Sequence, residues 1–148
     1  MARADTSAMP GGCLCGAVRF AAVPAKNAMD VCHCGMCRRW TGGVLMTVPC
    51  AKVTMADESA VKVYASSDWG ERVFCGTCGS SLFWRVRGKS DHVAVSVQSF
   101  DDMSPFVFAE EIFIDEKPAL YNFAGERPRK TGAEVMAEFA AKQATEHG

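Results

Sequence analysis

VCHCGMCRRWTGG, residues 31–43, sets Cys32, Cys34 and Cys37 within six positions. Two further pairs accompany this triplet: Cys13-Leu-Cys15, flanked by glycines, and Cys75-Gly-Thr-Cys78, followed by Gly79. Cys50, after Pro49, stands apart. Glycine beside a thiol lets the backbone turn sharply enough for sulfurs and N–H groups to converge on one point. Seven clustered cysteines do not make two sites of four; they divide into four plus three. Four thiolates close a tetrahedral zinc site, whereas three leave one position for something else. The spacing allows two partitions. In one, Cys13, Cys15, Cys75 and Cys78 combine, and Cys32, Cys34 and Cys37 stay together. In the other, Cys34 and Cys37 join Cys75 and Cys78 as in a zinc ribbon, leaving Cys13, Cys15 and Cys32.

The rest of the composition narrows the setting. The chain has 148 residues, 49% hydrophobic and 22% charged, which fits one globular domain able to bury a core without metal to make up for small size. A net charge of −1 gives no electrostatic case for nucleic acid or an anionic membrane. MARADTSAMPGG at the start lacks the apolar stretch of a signal peptide, and no run of about 18 apolar residues is present. The expected compartment is therefore cytoplasmic and reducing, where clustered cysteines are metal ligands or reactive thiols rather than disulfides.

The pattern predicts a mainly β chain with one terminal helix. Residues 1–10 lack periodicity and read as a flexible lead-in; residues 11–148 read as one domain. Short apolar or alternating runs punctuated by Gly, Pro, Asp and Ser predict strands at 17–23, 45–49, 52–55, 61–66, 81–87, 92–100 and 111–116. Thr131-Gly-Ala-Glu134 fits a capping box and opens a helix over about 131–146. Its stripe of Val135, Met136, Phe139 and Ala140 is expected to dock on the sheet. ERPRK (126–130) reads as a solvated basic connector and Thr41-Gly-Gly43 as a tight turn. Trp69 and Trp84 are assigned to packing, Asp101 and Asp102 to a turn, His92 and His147 to plain surface.

Three thiolates on Zn²⁺ make a soft, weakly Lewis-acidic centre whose preferred extra ligand is a fourth thiolate. The cation would also lower that thiol's pKa. Such a site suits addition of a bound thiolate to a small aldehyde, or the reverse elimination. His33, between two ligands, should point away from them and hydrogen-bond elsewhere. Arg38 and Arg39 follow the last ligand and can hold a carboxylate of a peptide-like thiol; Trp40 can wall the pocket. Cys50 reads as a small buried hydrophobe.

In order, GGCLCGAVRF, CHCGMCRRWTGG, FCGTCGSSLFWR and VSVQSFDD resemble the pattern of the glutathione-dependent formaldehyde-activating enzyme family, which also covers centromere protein V-like domains. The resemblance runs from about Gly11 to about Pro128. It implies an Mss4-like fold of several small coiled antiparallel sheets with a C-terminal helix. It also implies two zinc ions per chain. Cys13, Cys15, Cys75 and Cys78 match the family's structural zinc ligands. Cys32, Cys34 and Cys37 match its catalytic, more labile zinc ligands. The implied activity is a carbon–sulfur lyase reaction joining or releasing a thiol such as glutathione and a small aldehyde such as formaldehyde. The alternative is a non-catalytic zinc module that binds a protein partner on its sheet.

Overall fold

The computed structural model describes residues 7–89 and 91–147, with side chains to residue 142. Its strands are β1 (Met9–Gly12), β2 (Arg19–Pro24), β3 (Ala28–Cys32), β4 (Leu45–Thr54), β5 (Val61–Ala65), β6 (Gly70–Cys75), β7 (Ser81–Val86), β8 (Val93–Ser96), β9 (Val107–Ile112) and β10 (Arg129–Lys130). Two α-helices, α1 (Gly35–Thr41) and α2 (Gly132–His147), complete the described elements together with short 3₁₀ turns at Val97–Ser99 and Ile114–Glu116. The chain is thus mainly β and ends in a helix, as its pattern indicates. Residues 1–6 of the expected lead-in lie outside the described residues, as does the side chain of His147, whereas Met9 and Pro10 already belong to β1.

The chain divides into two compact units, one of residues up to 29 with 46–107, the other of residues 30–45 with 108 onward. In the first, the strands run in the spatial order β1-β2-β4-β8-β7-β6-β5, every neighbouring pair antiparallel. Alternation places Val93 and Val95 inward on β8, and Val97 continues that face into the 3₁₀ turn. On β7 both Leu82 and Phe83 are buried, so this strand is covered on both faces. Phe20 packs edge-on against Phe83 at 5.4 Å and Phe100 at 5.7 Å. Gly11 bridges to Phe100, and a Cβ there would lie 2.5 Å from the Ser99 carbonyl oxygen and against the Phe20 ring. Only glycine lets β1 approach this closely.

Several elements differ from the pattern. The runs at 45–49 and 52–55 are one strand, β4, continuous through Pro49. Pro49 stays in register opposite Ala94 of β8 and its carbonyl accepts from Ala25 N–H at 2.8 Å, while the register shift in the pairing with β2 falls at Ala51, opposite Val23 and Pro24. β5 is largely exposed, Val63 and Tyr64 included, and pairs only with β6 among the described strands. The strand expected at 111–116 instead spans 107–112. Phe113, in the left-handed region at φ 56°, ends it and starts the 3₁₀ turn.

The second unit carries β3, β9 and β10 in the order β10-β9-β3, with β10 parallel to β9 and Arg129 opposite Glu111. The capping box forms: Glu134 Oε1 accepts from Thr131 N–H at 2.7 Å, and Thr131 Oγ1 accepts from Glu134 N–H at 3.2 Å. Asp115 Oδ1 accepts from Gly132 N–H at 2.9 Å, tying the first turn of α2 to the 3₁₀ turn. The expected docking of the helix stripe is only partial. Val135 and Phe139 are half-buried, but Met136 and Ala140 are exposed.

Candidate metal centres

In the first unit the sulfurs of Cys13, Cys15, Cys75 and Cys78 all lie within 4.8 Å of one another. Two short Gly-bounded turns present them. A register shift between Val73 and Phe74 twists β6 just before Cys75. Cys13–Cys15 and Cys15–Cys75 are 3.7 and 3.8 Å apart. A tetrahedron with metal–sulfur bonds of about 2.3 Å has edges of about 3.8 Å, so these separations could accommodate a tetrathiolate metal ion. Backbone N–H groups point at the sulfurs: Val18 at Cys13 (3.2 Å), Thr77 and Cys78 at Cys75 (3.3 and 3.4 Å). The hydroxyl of Ser80 lies 3.2 Å from Cys78 and accepts from Leu14 N–H.

These surroundings spread the thiol acidities. Ser80, through its hydroxyl and backbone, brings Cys78 down to about 5. Cys13 is also lowered: burial opposes its charge, but the Val18 N–H and neighbouring thiols outweigh it. Cys15 is pushed up to about 11, because burial and the thiols of Cys13, Cys78 and Cys75 outweigh the favourable backbone at Ala17. Four such groups cannot all be thiolates without a cation among them, which is the charge problem a divalent soft metal relieves.

In the second unit Cys32, Cys34 and Cys37 bring their sulfurs within 4.8 Å of one another. β3 delivers Cys32. Cys34 caps α1, its sulfur accepting from Cys37 N–H at 3.4 Å. Gly42, at φ 77°, ends the helix with its N–H on the Arg38 carbonyl. Cys32 and Cys37 are buried with Leu45, while Cys34, Trp40, Ile112 and Phe113 pack around them. The Cys32 thiol is pushed well above the usual range, first by Cys34, then by Cys37 and burial. The residues brought together are therefore 13/15/75/78 and 32/34/37. The zinc-ribbon partition is not the one the fold adopts.

The candidate substrate residues are placed unequally. Arg38 is committed to the backbone, donating from Nε to the His33 carbonyl at 2.9 Å and from Nη2 to the Glu116 carbonyl at 3.4 Å. Arg39 is exposed and Trp40 half-buried. Cys50 is buried in the first unit, its thiol pushed up to about 12 by burial, as suits a core residue.

Beyond the cysteines, the second unit contains a polar cluster that spacing alone does not reveal. His33 is fully buried, with Nε2 2.8 Å from Glu111 Oε1 and Nδ1 2.9 Å from the Tyr121 hydroxyl. Glu111, 1% exposed, also accepts on Oε2 from Arg127 (2.7 Å) and Arg129 (3.0 Å). Burial opposes its charge, but His33, Arg127 and Arg129 hold its carboxyl below the usual range. ERPRK is thus no solvated connector; two of its arginines neutralise a buried acid. A cavity of about 300 Å³ adjoins Glu111, lined also by Lys117, Asn122, Phe123 and Arg129.

Comparison with known proteins finds a matching family and several relatives. Residues 8–116 match the family described as glutathione-dependent formaldehyde-activating enzyme. A Schizosaccharomyces pombe protein named as a lyase is 32% identical over 127 residues, covering 85% of this chain and 93% of that one. A Halomonas elongata protein named for glutathione-dependent formaldehyde activation is 29% identical over 85 residues, 51% of this chain and 54% of its own. A crystal structure of a Rhodobacter sphaeroides protein superposes with a TM-score of 0.53 at 21% identity, covering 82% of this chain and 99% of that chain, a likeness of fold.

Proposed function

The chain belongs to the glutathione-dependent formaldehyde-activating enzyme family, and on that premise we propose that it is a zinc-dependent carbon–sulfur lyase. Its substrate would be the adduct of a low-molecular-weight thiol, glutathione or a similar peptide thiol, with a small aldehyde. The observation that carries this reading is the pairing of a four-sulfur cluster with a separate three-sulfur cluster. The donor sets fit two zinc ions. Cys13, Cys15, Cys75 and Cys78 would hold one closed structural ion, and Cys32, Cys34 and Cys37 a more labile one. Bound at the triplet, zinc would supply a soft cation that keeps a substrate sulfur as thiolate near neutral pH.

The chain's residues supply the rest. In the elimination direction, the adduct loses its hydroxyl proton, the carbonyl forms, and the carbon–sulfur pair returns to sulfur. The proton ends on solvent or on the released thiol. Cys34, the half-buried member of the triplet, marks the approach. Trp40, packed against the cluster, offers an apolar wall. Arg39, exposed two residues beyond Cys37, would meet a carboxylate of the thiol. Clustered thiols of this kind suit a reducing, cytoplasmic setting.

The burial of Cys32 and Cys37 favours a second reading, a zinc module without catalysis. One experiment separates the two. Zinc per chain and free thiols are measured on anaerobically purified wild type and Cys34→Ser, followed by turnover of thiol–aldehyde adducts. The lyase reading expects two zincs falling to one, with loss of turnover. Two zincs in the wild type without turnover of any adduct would leave the module.

A further inference from the structure

Every polar atom of residue 33 is held. Its N–H donates to the Ile112 carbonyl at 3.1 Å, and its carbonyl accepts from Arg38 Nε at 2.9 Å. Nε2 meets Glu111 at 2.8 Å and Nδ1 meets Tyr121 at 2.9 Å. With Glu111 ionised, Nε2 carries the hydrogen, and in the neutral ring Nδ1 then accepts from the Tyr121 O–H. The ring stacks on Tyr121 at 5.6 Å and lies 6.0 Å from Phe123. Its main partner is itself immobilised, because Arg127 and Arg129 occupy the second oxygen of Glu111.

The backbone is extended through β3 to Cys32 and again at Cys34 (φ −66°, ψ 155°). Successive side chains of extended backbone leave on opposite sides. Cys32 and Cys34 therefore converge on one side while His33 anchors the other. All three sulfurs come from six consecutive residues, so the segment holds no distant ligand to fix it. A loop that had to order itself on binding would hold a cation more weakly than one already set.

We propose that His33, fixed by Glu111 and Tyr121, is the positioning residue of the three-sulfur site, presetting Cys32 and Cys34 and so governing how tightly and in what geometry a cation is held there. This rests on the reading of the triplet as a metal site. Three of the four side chains that build the clamp around His33 — Tyr121, Arg127 and Arg129 — follow the segment matched by the family, which ends at residue 116.

The test loads the full chain with cobalt(II) and compares wild type, Tyr121→Phe, His33→Gln and His33→Ala. The readouts are the charge-transfer and d–d bands and the rate of cobalt release to a chelator, with the four-sulfur site as internal control. His33→Ala should release cobalt from the triplet about 10- to 100-fold faster, with shifted bands, while release from the four-sulfur site is unchanged. His33→Gln, which keeps an amide for Glu111 or Tyr121, should recover part of the loss. Tyr121→Phe, lacking one hydroxyl, should move the same way by less, and serves if His33→Ala does not fold. Unchanged triplet release and bands would overturn the proposal, as would equal acceleration at both sites, the sign of a loosened fold. A wild type that takes up one cobalt would instead overturn the reading of the triplet as a metal site, and the proposal with it.

Discussion

Glu111 receives donors from His33, Arg127 and Arg129 while almost wholly withdrawn from water. Its carboxyl is held below the ordinary 4.5, so its stabilisation is full above that value and disappears as pH falls through the lower, folded one. Glu111→Gln should lower the melting temperature at neutral pH. The gap to wild type should narrow as pH is taken from about 6 to about 3, followed by thermal denaturation. Breaking such a buried pair costs about 3–5 kcal/mol, because the arginines lose their counter-charge. None of this is legible along the chain. An acid in a strand beside Glu110 looks like a solvent face, and its partners lie up to 78 residues away. The cysteines are the opposite case. Their close spacing already gathers Cys32, Cys34 and Cys37, and the family pattern selects the pairing of Cys13 and Cys15 with Cys75 and Cys78 that the fold adopts.

Among elements, α2 shows how far local chemistry reaches. The capping box is local, and it forms as the sequence indicates. Thr131→Ala should weaken the helix by about 1 kcal/mol, seen as faster amide exchange in its first turns and little change elsewhere, because most of its described side chains, up to residue 142, are exposed. Its stripe, by contrast, reads as a docking face although Met136 stays in solvent. β4 is split by Pro49 on paper and whole in the fold, because tertiary pairing overrides the local break. α1 escapes notice since seven residues ending at Gly42 carry little periodicity and look like the turn that follows them. The end of β9 is set by Phe113 in a left-handed conformation, which no apolar pattern announces.

At the scale of the molecule, the two sulfur clusters should differ in what they contribute to folding. Graded chelation should remove metal in two phases. The first, from Cys32, Cys34 and Cys37, should leave the β circular dichroism nearly intact. The second, from Cys13, Cys15, Cys75 and Cys78, should abolish it. The separation between Cys15 and Cys75 gives a reason apart from ligand chemistry. A cation there ties a ring of 60 intervening steps, whereas the triplet ties one of five at most. Restricting the unfolded chain scales with the logarithm of ring size, so the wide ring is worth roughly 2 kcal/mol more to the native state than the narrow one. The narrow ring hardly restrains the unfolded ensemble, so a cation held there would be free to come and go without putting the fold at risk.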